Sequence, residues 1–207
     1  MTFRKQKDPN SGHGQFNWPI AIMLAAVMAG AIPLTVRYYY SSKLAESLPR
    51  SHTHRSLEGI GGWLLLVAFG LVFRPVGYLQ AHAEILPSIF NLETWQNLTH
   101  VGQPAYHPYW MPTLLFELVF NSLAFVYCIL LVVLFFKRRA AWPRCYILFF
   151  IITIIGLAVD YGLGLQIPAA AGGMDQSAKV LFQSVFASII WIPYRLTSKR
   201  VKATFRH

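Results

Sequence analysis

The chain has 207 residues, 55% of them hydrophobic and only 13% charged, against about 25% charged in an ordinary soluble domain. Intrinsic disorder is thereby excluded, and so is a soluble globular domain, because the apolar residues fall into blocks of roughly 20 instead of alternating with polar ones. A net charge of +10 would point a soluble chain toward nucleic acid, but no stacking aromatics are interleaved among these charges, so no nucleic-acid partner is expected.

In chain order, residues 1–57 read as an N-terminal extension with one hydrophobic segment at 18–36 and a basic link behind it. Three readings are open for that segment. It can span with its N-terminal side outside, dip in and return with help from Gly30 and Pro33, or be a signal peptide, although its apolar stretch is long and lacks a clear small-residue cleavage site. Residues 58–207 read as a four-helix transmembrane domain, with apolar blocks at 59–73 (extending to 79), 111–136, 145–165 and 178–194. The expected fold is therefore all-α: a polytopic membrane helix bundle of four core transmembrane helices plus one N-terminal hydrophobic segment.

The connections carry their own signals. The outer loop 84–110 includes a stretch, 84–98, whose apolar residues and Trp95 suit a helix lying flat at the membrane surface. His82, His100 and His107 lack the spacing of a metal motif and read as solvated loop residues, as do His52 and His54, so no metal site is expected. Cys128 and Cys145, the two cysteines present, form no redox motif and read as packing residues. The basic tail 195–207, with Phe205, suits anionic headgroups at the cytoplasmic face. Lys137, Arg138, Arg139 and Arg144 in the link between the blocks 111–136 and 145–165, together with that tail, put both connections in the cytoplasm by the positive-inside rule. The acid-bearing loops 74–110 and 166–177 then lie outside.

Charges well inside the spans are expensive and hold the best functional information. Counted from Gly59, Arg74 lies 15 residues along its helix, as does Asp160 counted from Cys145, while Glu117 lies six residues below the outer end of the antiparallel helix that begins at Met111. All three are expected in one polar layer in the outer half, joined by Gln183 and, one turn deeper, Asn121. Arg74 is expected to pair with Glu117 or Asp160, leaving one carboxyl over: either a structural cluster or a ligand cavity.

The strings Gly59-Ile60-Gly61-Gly62-Trp63-Leu64-Leu65 and Trp191-Ile192-Pro193-Tyr194, followed by Ser198-Lys199-Arg200-Val201-Lys202-Ala203-Thr204-Phe205, resemble the bacterial membrane family known as domain of unknown function twenty-five sixty-nine, over residues 58–205. The resemblance implies a four-helix bacterial inner-membrane protein with both ends of that core in the cytoplasm. It implies no reaction, substrate or cofactor. Trp63, Trp191 and Tyr194 are expected to anchor helix ends at the cytoplasmic interface. With no complete catalytic motif, no cofactor and no inverted repeat, the first functional expectation is an accessory or scaffold subunit of a larger membrane complex. The second is a small transporter or a ligand- or lipid-binding protein that uses the polar layer. A membrane enzyme ranks last.

Overall fold

The computed structural model describes residues 15–45 and 61–205, without the side chains of 43–45, 202 and 203. Seven α-helices run through them: α1 Trp18–Ala45, α2 Trp63–Phe90, α3 Leu92–Thr99, α4 Trp110–Phe136, α5 Trp142–Gly164, α6 Ala171–Thr197 and α7 Lys199–Thr204, with a single 3-10 turn at Pro168–Ala170. Five helices, α1, α2, α4, α5 and α6, are long and apolar enough to cross a membrane. The fold is an all-α polytopic membrane bundle, and α4, the most buried span, packs against α1, α2 and α5.

The first apolar block is one continuous helix through Pro33, with no turn at which it could dip in and return. At ~1.5 Å per residue a 28-residue helix is about 42 Å long, enough to cross without returning. The chain just before it is fixed by the main-chain bonds Asn17 N–H to Phe90 O (2.9 Å) and Leu92 N–H to Gln15 O (2.8 Å). The buried Asn17 amide also donates to Ile89 O at 3.1 Å. These bonds satisfy carbonyls that the end of α2 would leave unpaired. They also place the start of α1 beside the end of α2. At its far end, Tyr38 lies 3.1 Å from the Cys145 sulfur near the start of α5.

The bundle thus has two chemically distinct ends. One holds the α4–α5 turn with Lys137, Arg138 and Arg144, and α7 with Lys199 and Arg200; we call it the basic end. The other holds the start of α1, the α2–α3–α4 connection and the α5–α6 connection. All five acids among the described residues, Glu84, Glu93, Glu117, Asp160 and Asp175, lie toward this acidic end.

Two expectations about elements change. The second span does not stop near Arg74-Pro75; α2 runs unbroken to Phe90, with Pro75 and Pro87 inside it. Its buried Leu64, Val67, Leu71 and Ile89 keep a helical period across the proline. The surface segment 84–98 is accordingly divided: its first half completes α2, and its second half is the eight-residue α3, capped by the Asn91 side chain accepting from Thr94 N–H at 3.0 Å. The basic tail changes as well. Phe205 does not meet lipid but stacks on Trp142 with ring centroids 4.3 Å apart, and with Val201 it is buried against Leu64 and Phe135.

Candidate ligand-binding site

One face of α5 repeats at helical spacing: Trp142, Tyr146, Phe149, Phe150, Thr153 and Gly156 are all buried. Along it the bundle sorts its charges. Toward the basic end, Arg195 of α6 is 2% exposed, its guanidinium carbon 4.2 Å from the Trp142 ring centroid and 2.9 Å from that of Tyr146. Its three guanidinium nitrogens have no hydrogen-bond partner among the described residues, so the aromatic faces are its visible support. Arg195 therefore belongs to the core and not to a solvated tail.

Higher up, Arg74 of α2 lies over Phe150 at 4.8 Å and Phe149 at 5.3 Å. The expected ion pair does not form: among the described residues, no carboxylate of Glu117 or Asp160 lies within bridging distance of Arg74. The reason is one of depth. Because α2 begins at Trp63 and not Gly59, Arg74 is one turn nearer the basic end than the count assumed. It stands level with Phe149 and Phe150, about 15 Å along α5 from Asp160 at ~1.5 Å per residue.

What remains at the acidic end is a cavity of about 230 Å3 between α2, α4 and α5. Ala81, Glu84 and Ile85 line it from α2, Phe116, Glu117, Phe120 and Asn121 from α4, and Gly156, Leu157 and Asp160 from α5. The Glu117 and Asp160 side chains line it from neighbouring helices, one from α4 and one from α5. The Asp160 Oδ1 atom is enclosed and has no hydrogen-bond partner. Glu84 is exposed and accepts from the Gln80 side-chain amide at 3.2 Å, which makes it the mouth of the cavity. Phe116 and Phe120 stack nearly parallel, 5.4 Å between centroids at 15°. Glycine at 156 is required here, since a Cβ would come within 2.1 Å of the Phe120 ring.

Glu84, Glu117 and Asp160 thus form the polar layer, with Glu84 in the place expected for Arg74. Asn121 lines the cavity, whereas Gln183 is exposed on α6 and takes no part in it. Sequence reasoning missed Glu84 because it ended the helix a proline too early. The 3.6-residue period of Leu64, Val67, Leu71, Ile85 and Ile89 was the available signal.

His82, expected in a solvated loop, is instead held inside the bundle. Its Nδ1 donates to Tyr78 O at 2.7 Å, and its Nε2 lies 3.0 Å from the Ser122 hydroxyl of α4. Ser122 also lies 2.6 Å from Leu118 O, so its single proton goes either to that carbonyl or to the imidazole. His100 and His107 do lie in the connection before α4. Among the described residues no group of three or more His, Cys, Asp or Glu is arranged to hold a metal ion. His52 and His54 lie outside the described residues. Cys128 and Cys145 are unbridged and buried.

At the basic end the three aromatic anchors come together. Trp63 meets Trp191 edge-to-face at 6.4 Å, and Trp191 meets Tyr194 at 5.9 Å. A guanidinium nitrogen of Arg200 presses so closely on the α2 start that a Cβ on Gly61 would lie 2.9 Å from it, and one on Gly62 3.1 Å. The Gly-Gly-Trp string and the Ser198 to Phe205 string, remote in sequence, are two halves of one packed junction.

Fold and cavity together define a polytopic, all-helical membrane protein with a carboxyl-lined chamber near one end. Residues 57–206 match the family described as protein of unknown function, DUF2569, and the chain belongs to that family. No curated protein and no solved structure matches it. The matched region takes in every residue of the cavity and of the basic-end junction and leaves out α1.

Proposed function

We propose that this chain is a ligand-binding protein of the bacterial inner membrane, of the transporter or receptor kind, that takes a small cation into the cavity of Glu84, Glu117, Asn121 and Asp160. The observation that supports the reading is charge imbalance: three carboxyls share one cavity wall while Arg74, the counter-ion expected there, stands against α5 aromatics instead. Carboxyls that share a partly enclosed site cannot all stay charged without a proton or a cation to offset them. A cation arriving from the acidic end meets exposed Glu84 first.

The positive-inside rule favours the basic end, with the segment after α6, in the cytoplasm; the start of α1, beside the end of α2 at the acidic end, then lies on the other side although basic residues precede it too. Exposed Lys137, Arg138, Arg144 and Lys199 then face anionic headgroups, each worth ~1 kcal/mol near such a surface. The interfacial aromatics touch one another, yet Trp63 remains 64% exposed, so a partner docking on that surface is the second reading.

Native mass spectrometry of gently extracted protein tests the proposal. Wild type should retain a small cationic adduct that Asp160→Asn and Glu117→Gln both lose. Equal adducts on all three proteins would overturn it, and a stoichiometric protein partner retained without any small ligand would favour the accessory subunit.

A further inference from the structure

Resting on that reading, the geometry points to the class of cation: we propose that the cavity takes a primary alkylammonium ion, its ammonium group on the Glu117–Asp160 carboxyl pair and its short apolar tail along Phe116, Phe120 and Leu157. Three features of the wall carry this. The carboxyls do not converge as metal ligands do: among the described residues no three of them are grouped to hold an ion, and Glu84 stands at the mouth on Gln80. A metal ion needs several oxygens around one point, whereas an ammonium group needs up to three acceptors in one hemisphere. Asp160 Oδ1, enclosed and unpartnered, together with the Glu117 carboxyl and the Asn121 side chain that line the same cavity, offers that arrangement.

The second feature is the apolar share of the lining. Ala81, Ile85, Phe116, Phe120 and Leu157 make up the rest of a cavity that is far larger than a bare ion. A dehydrated metal cation gains nothing from such a surface, while a carbon tail gains about 25 cal/mol for each Å2 it buries. The third feature is the parallel Phe116–Phe120 pair, held in place by the missing side chain at Gly156. Ring faces attract organic ammonium ions and the polarised carbons next to the nitrogen. Binding involves no covalent step.

The test uses the full chain purified in detergent, with thermal unfolding and calorimetric titration against n-butylammonium chloride. Sodium, potassium and calcium chloride serve as metal probes at matched ionic strength, and n-butanol serves as the uncharged tail. n-Butylammonium should stabilise the protein saturably and n-butanol should not. Phe120→Leu should weaken binding roughly threefold to tenfold, and Asp160→Asn should abolish it. If Asp160→Asn does not fold, Glu84→Gln at the exposed mouth replaces it and should lower affinity without lowering the melting temperature of the ligand-free protein. Stabilisation by a metal cation in preference to n-butylammonium would overturn the ammonium assignment and leave the cation reading standing. No response to any cation would overturn both, and equal response to n-butanol would reduce the effect to apolar partitioning.

Discussion

Gly156 and Phe120 occupy one space between them. A methyl group added at 156 would run into the Phe120 ring, which must shift to admit it. Overpacking of this kind costs about 1–3 kcal/mol. Gly156→Ala should therefore lower the melting temperature in detergent, and Phe120→Leu in the same chain should restore much of the loss; simple additivity of the two changes would contradict the contact. His82 makes a comparable claim across α2 and α4. His82→Ala removes the Ser122 contact and should cost about 1 kcal/mol, read as lower thermal stability, with Ser122→Ala in the double mutant adding little. At this scale the sequence told part of the story. Glu117, Asn121 and Asp160 were recognisable as charges or amides too costly to be idle in a span. Arg74 was recognisable as buried but not as an aromatic-supported cation, because a guanidinium's choice between a carboxylate and a ring face depends on a few ångströms of depth.

Among the elements, α2 decides the site. Its 28 residues carry the mouth residue Glu84 down from what looked like a surface loop, and its start at Trp63 sets the level of Arg74. The five apolar helices were legible from block length alone. Their ends were not, since Pro75 and Pro87 look like terminators yet sit within a helix whose neighbours supply the missing stability. The start of α2 is as particular as its end. Gly62 there has a φ of 58°, and the Arg200 guanidinium lies against it. The Gly62 ψ of −134° takes it out of the left-handed helical region into one that is essentially reserved for glycine, and an L-residue held there costs about 1–3 kcal/mol. Gly62→Ala should thus lower stability, and Arg200→Ala should recover only the part due to crowding, a split that a double-mutant cycle in the melting temperature measures. α7 shows why the tail was misread: as a string its lysines and arginines dominate, but as a helix its Val201 and the following Phe205 close the bundle over Trp142.

For the molecule as a whole, the separation of acidic and basic ends organises both topology and function. Five helices long and apolar enough to cross put the start of α1 and the segment after α6 at opposite ends of the bundle, which charge counting left open because basic residues precede α1 too. Single cysteines at Gln15 and Gly102 should react with an impermeant maleimide from the outside of intact cells, and one at Lys199 only after permeabilisation; shared reactivity of Gln15 and Lys199 would contradict the arrangement. The central claim, a cation chamber reached from the acidic end, meets its most direct test in one rate comparison. With Cys128 and Cys145 replaced by alanine, Asn121→Cys is exposed from outside to a trimethylammonium methanethiosulfonate and to its sulfonate counterpart. The account predicts that the cationic reagent modifies the cavity thiol at least tenfold faster, and that Glu84→Gln with Asp160→Asn removes the difference. Equal rates, or no modification from that side, would contradict it.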